Sequence, residues 1–171
     1  RYVEDQFLRK VELYGNCPFE VRLAGDNPHS GFRFTVSNEG DGRYALSDFR
    51  IKNDKVDGEA VVSFGDTVRT PVGALVLYPV ETTKEFDNPV EVSWSTSMTA
   101  AKAYCGKMNI ALSGKESSVV VLSMDDTYPS RAAAVLNSLI DVYNEVWSTN
   151  KNRSAINTTE FINESLVVIE K

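Results

Sequence analysis

The hydrophobic period changes twice along this chain, and that change constrains the fold more than any other feature. As far as Trp94 the apolar residues mostly alternate with polar ones, the spacing of strands wet on one face. Phe32, Phe34 and Val36 alternate in this way, as do Tyr44 and Leu46, Ala60, Val62 and Phe64, and Val90, Val92 and Trp94. Phe49 and Ile51 alternate in the opposite phase to Tyr44 and Leu46. A one-residue slip swaps faces, so a bulge or bend is expected near Ser47. The run Ala74 to Tyr78 and the pair Val21 and Leu23 add further strands. Gly25 to Gly31, Asn38 to Gly42, Asn53 to Gly58, Gly65 to Thr67 and Thr70 to Gly73 carry turn chemistry.

From Ser97 the period becomes helical through Met98, Ala101, Tyr104, Cys105 and Met108, with Ser97 as the expected N-cap. Two strands follow, Asn109 to Leu112 and Ser118 to Met124. The second is apolar on both faces, which predicts an interior strand over Val119 to Met124. Pro129 suits a first helical position. Beyond it Leu136, Leu139, Ile140, Tyr143, Val146 and Trp147 form a stripe at spacings of three and four. After polar residues 148–154, Asn157 and Glu160 have the spacing of a second helix start, and Phe161, Ile162, Leu166 and Ile169 continue the stripe. At the other end, Val3, Phe7, Val11 and Tyr14 also recur at helical spacing, stopped by Gly15 and Pro18. The class is therefore α+β: a mixed β-sheet packed against helices, with a C-terminal helical arm truncated at the chain end. The expected domains are an α+β base over 1–128 and a helix beginning an arm over 129–171, packed on the base.

At 171 residues, 42% of them hydrophobic and 25% charged, the chain can bury a sizeable core. Its net charge of −6 argues against a nucleic-acid binder, which needs a basic stripe. Nothing approaches the length of a membrane span, and no signal-peptide pattern opens the sequence. The first residue is Arg1 and a helical pattern still runs at Lys171, so an excised piece of a longer protein is expected. Cys17 and Cys105 have no zinc-ligand spacing, and leave a disulfide and two free thiols both open.

The search for chemistry yields no catalytic, cofactor-binding or metal-ligating residue. His29 is the single histidine, with Asp26 and Ser30 beside it. These neighbours lie too close in sequence for a triad, so His29 reads as a solvated loop residue. Asp125 and Asp126 stand between a strand and a helix start, where carboxylates could bind a metal; capping the helix explains them more simply. Residues 53–58 have the wrong ligand spacing for a calcium loop. Gly40-Asp41-Gly42 lacks the rest of a nucleotide loop, and no phosphate-loop motif occurs. The three glycosylation sequons at Asn152, Asn157 and Asn163 are read as chance. Tyr143 and Trp147 could stack on a sugar, but their place on the apolar stripe assigns them to packing, with Trp147 expected to be buried within the domain or against a neighbouring subunit and part of the arm left exposed.

One order of segments resembles a known family. A buried strand ending in Ser123-Met124 leads to Asp126, Pro129 and Ala132, spaced D-x-x-P-x-x-A, and then to Leu136-Asn137-Ser138-Leu139-Ile140 and Tyr143. Thr159 to Ile162 with Leu166, and upstream Phe64 to Gly73, fit the same pattern. This order is similar to that of the extracytoplasmic segment of bacterial polysaccharide co-polymerases, the chain-length determinants of surface glycans, some of which are fused to a cytoplasmic tyrosine autokinase. The likeness covers Phe64 to Lys171 well and the first sixty residues weakly. The family's membrane spans, the return half of its helical arm and any kinase motif are missing here. The resemblance implies a non-enzymatic scaffold at the periplasmic face of the inner membrane. It also implies a homo-oligomer in the full-length protein, acting with a polymerase and the growing glycan and held to the membrane by flanking spans. The alternative from another class is a secreted carbohydrate-binding or adhesin-like module, which requires an exposed aromatic platform. A third, a hydrolase, requires a pocket around His29 or Asp125.

Overall fold

The computed structural model describes residues 1–6, 8–25, 28–80, 86–115 and 117–169, and no side chain at 155, 160, 161 or 163–169. The chain divides into two compact units, Arg1–Lys102 and Ala103–Lys171.

The first unit is built from β1 (Tyr2–Gln6), β2 (Arg9–Glu12), β3 (Phe19–Leu23), β4 (Phe32–Gly40), β5 (Arg43–Ile51), β6 (Asp54–Lys55), β7 (Ala60–Ser63), β8 (Thr67–Thr70), β9 (Gly73–Pro79) and β10 (Val90–Trp94). A seven-stranded sheet runs β2-β1-β10-β4-β5-β6, with β7 also on β5; a three-stranded sheet runs β3-β9-β8. One core joins them. Phe19, Leu75 and Leu77 of the smaller sheet cluster with Phe34, Val36, Leu46, Phe49, Val90 and Val92 of the larger, and all of these are buried. Aromatic rings fill much of the space: Phe34 lies 5.5 Å from Phe49, and Phe19 contacts Tyr2 edge-on at 5.7 Å and Phe86 at 5.2 Å. The base is thus sheet packed on sheet, and the expected helical cover is not what closes its core.

The second unit holds β11 (Met108–Leu112), β12 (Val120–Met124) and α2 (Pro129–Ile169), with α1 (Ser97–Cys105) crossing the junction. The class is α+β. Among the described strands every pairing is antiparallel, a more uniform arrangement than the mixed sheet expected. The chain divides after Lys102, ahead of the expected boundary at 128, because β11 and β12 pair with each other and α2 packs on β12.

Several sequence expectations hold in detail. The bulge lies where the phase changed: Thr35 pairs Ser47 while Arg33 pairs Arg50, and Asp48 takes a φ of 52° in the extra residue's place. α2 starts at Pro129, whose missing N–H removes nothing from the helix.

Four expectations are corrected. The opening is a hairpin, β1 with β2, and not a helix. A partner strand outweighs helical spacing over so short a segment: β1 pairs β10, and Val3 is buried. Phe7, the centre of the expected helical stripe, lies outside the described residues. The cap of α1 is Thr96, one residue earlier than expected, its Oγ1 accepting the Thr99 N–H at 3.3 Å. Met108, expected on the α1 stripe, opens β11. α2 runs unbroken through 148–154, so Asn157 and Glu160 start no second helix.

Both cysteines are free thiols. Burial pushes the Cys17 thiol up to about 11, whereas Cys105 is exposed. At pH 8 a maleimide should label Cys105 first and Cys17 much more slowly, so a Cys105→Ser chain should show the slow phase alone. Equal rates would contradict the burial of Cys17.

Candidate functional site: an exposed apolar face on a capped helix

The second unit is organised around Asp126. Its side chain is fully covered, and one carboxylate oxygen, Oδ1, accepts three hydrogen bonds. They come from the Tyr128 N–H at 2.9 Å, from Arg131 Nε at 3.0 Å and from Arg131 Nη2 at 2.6 Å. Lys107 Nζ reaches the other oxygen at 3.4 Å. The Tyr128 carbonyl accepts from the N–H groups of Arg131 and Ala132, which starts the helical ladder. The Arg131 guanidinium also lies 5.4 Å from the Tyr128 ring centre. The Asp126 carboxylate therefore closes an Asx turn, and Arg131 locks it to the first turn of α2.

These donors hold the Asp126 carboxyl down to about 2, Arg131 first and the Tyr128 amide second. A carboxyl lower in the folded than in the unfolded state, where about 3.9 is usual, stabilises the fold above pH 4 and loses that contribution as pH falls toward 2. Acid titration should therefore cost helical circular dichroism across pH 4 to 2, and Asp126→Asn should flatten that step. An unchanged step in the variant would remove Asp126 from the cap. Asp126 is thus the capping group that its place in the sequence suggested, and Asp125 beside it is exposed. His29 is exposed, and Asp26 of the same segment lies outside the described residues. Among the described residues no group of three or more His, Cys, Asp or Glu is placed to hold a metal.

What the cap positions is a helix of 41 residues, about 60 Å long at 1.5 Å per residue. Ala132 is the one buried hydrophobic of the second unit among the described residues; Val135 and Leu136 are half-buried. Beyond that turn the stripe is open to solvent: Ile140, Tyr143, Val146 and Trp147 are exposed, Tyr143 at 65% and Trp147 at 56%. Lys151 Nζ sits 4.8 Å from the Trp147 ring centre, so its cation covers part of one face. β12 is open as well. Among the described residues it pairs only with β11, and Val119, Val120 and Val121 are all exposed. The expected interior strand is therefore solvent-facing, and the α2 stripe, expected to be covered within the domain or by a neighbouring subunit, is exposed in the single chain. Two apolar faces on a strand signal a need for burial, but they do not say which surface meets it.

So much open apolar surface is unusual for a self-contained unit. A two-stranded hairpin is marginal alone, and contiguous exposed apolar patches mark interaction surfaces. No helix among the described residues is long and apolar enough to cross a membrane. The chemistry of this face suits apposition of another apolar surface. The sequence pattern identified the residues of this face; it misjudged exposure at β12, which was expected to be an interior strand. No protein-family profile matches the chain, and no curated protein matches it at a significant level.

Proposed function

We propose that this chain is an extracytoplasmic scaffold segment of a polysaccharide co-polymerase, one that sets the chain length and export of a capsular, O-antigen or exopolysaccharide and performs no chemistry itself. The observation that carries the reading is the open apolar stripe of α2 (Ile140, Tyr143, Val146, Trp147), launched by a locked Asp126–Arg131 cap. A rigid cap fixes the direction of a long helix, and an open stripe gives neighbouring copies a surface to share. The order of strand, Asp turn, Pro and helix is the one that resembles this family. In the full-length protein, flanking spans would hold the segment at the periplasmic face of the inner membrane, beside the polymerase and its growing glycan.

The test is the length profile of surface polysaccharide from cells carrying variants of the full-length protein. Deleting the segment should change the profile, while His29→Ala and Asp125→Ala should leave it intact. A normal profile after the deletion would defeat the proposal, and so would a purified chain that hydrolyses glycan in a His29-dependent way.

A second reading, a secreted carbohydrate-binding or adhesin-like module, is favoured by one observation: Tyr143 and Trp147 are exposed on one helix face, four residues apart. It requires saturable glycan binding by the purified chain that Trp147→Ala abolishes. The scaffold reading requires no such binding at that face.

A further inference from the structure

The outer face of the seven-stranded sheet carries an arrangement that packing does not explain. Arg33 of β4 and Arg50 of β5 are directly opposed across the ladder, so their side chains leave the sheet on the same side. Both are half-buried. Like charges placed directly opposite destabilise a sheet, and neither guanidinium has an ion pair or side-chain hydrogen bond among the described residues. Arg33 Nε is, in addition, the one buried side-chain nitrogen or oxygen among them with no hydrogen-bond partner.

The anions close by are engaged elsewhere. Lys10 Nζ lies 3.9 Å from Asp5 and 3.8 Å from Glu91, and Lys55 Nζ lies 3.8 Å from Asp48. The bulge at Asp48 fixes the opposition, because it resets the register between Ser47 and Arg50. Around the two arginines is a cleft of about 360 Å³ lined by Asp5, Lys10, Arg33, Asp48, Arg50 and Glu91, with Phe34 and Thr35 beside them. That volume is at the small end of ligand sites, which run from about 300 to 1,000 Å³.

We infer that this cleft binds an oxyanion carried on a hydroxyl-rich ring, the carboxylate or phosphate of an acidic sugar, between Arg33 and Arg50. Two guanidiniums grip one oxyanion in a way that neither a lysine nor a lone arginine reproduces. An oxyanion held between the two guanidinium groups would neutralise the opposed charges. The carboxylates of Asp5, Asp48 and Glu91 in the lining would accept hydrogen bonds from ring hydroxyls, which distinguishes a sugar from a bare anion. The inference goes beyond the assembly reading and is tested apart from it: binding is read on the purified chain, polymer length in cells.

The experiment is calorimetric titration of the 171-residue chain with glucuronate, glucose 6-phosphate, glucose, acetate and inorganic phosphate. Saturable binding of glucuronate or of glucose 6-phosphate is expected, and whichever binds tighter identifies the anion. Glucose, acetate and inorganic phosphate should each bind at least tenfold more weakly. Arg50→Gln should weaken the acidic sugar at least tenfold while leaving the melting temperature of the free chain unchanged or higher, since it relieves the opposition; a merely structural arginine would lower it. Arg33→Lys keeps the charge without the fork and should also weaken binding, which covers the case in which Arg50→Gln does not fold. Three results would overturn the site: no saturation by either acidic sugar, equal binding of a simple anion or of glucose, or full binding by a folded variant.

Discussion

Replacing Phe19 with Ala should cost about 3–5 kcal/mol of stability, the usual range for emptying an aromatic position in a core. Phe19 is 1% exposed and lies on β3, in the smaller sheet. Its ring meets Tyr2 from the larger sheet edge-on and also contacts Phe86. Removing it therefore takes away contact between the two sheets as well as buried area. Small domains have only about 5–15 kcal/mol in total, so the loss is at least about a fifth of what holds the fold. The measurement is urea denaturation followed by far-ultraviolet circular dichroism, with Leu8→Ala as the comparison. Leu8 is 89% exposed, and such surface changes stay within about 0.5 kcal/mol. A Phe19→Ala midpoint no lower than that of Leu8→Ala would mean that the sheets do not share a core.

The sandwich was only partly legible in the sequence, for physical reasons that differ from place to place. Alternation marks a strand wherever one face is wet, so β4, β5, β7 and β10 could be placed, and the phase change at Ser47 located the bulge. Which strands pair is a different matter. Alternation does not state register, so Arg33 and Arg50 could not be read as opposed until β4 and β5 were aligned. The opening hairpin was missed because Val3, Phe7 and Val11 fit a helix as well as two short strands, and a free edge on β10 decides for strands. Exposure was misread for β12. Hydrophobic pattern reports which residues need cover; whether the same chain supplies it depends on what else is available. The Asp126 cap was legible because it is local: Asp, two residues, Pro and a helical stripe leave the carboxylate little else to do than accept nearby N–H groups.

The same difference between need and cover sets the second large effect. Tyr143→Ser with Trp147→Ser should leave the melting temperature of the purified chain within about 2 °C, because both rings are exposed and hold nothing together within it. In the full-length protein the outcome should be the opposite. If the stripe of α2 is covered by neighbouring copies, each ring loses about 1.5–3 kcal/mol of burial at the contact. Two rings together then weaken subunit association by roughly 10²–10⁴-fold, at 1.4 kcal/mol for each factor of ten. Cross-linking in membranes should show fewer oligomers, and the surface polysaccharide should shift in length, with the variant present at the normal level. The two measurements separate the explanations. A chain that melts early would place the rings in its own core. A chain that melts normally, with oligomers and polymer length both unchanged, would leave the stripe without a role in assembly. Only an unchanged melt together with a changed assembly matches a helix whose apolar face belongs to a partner.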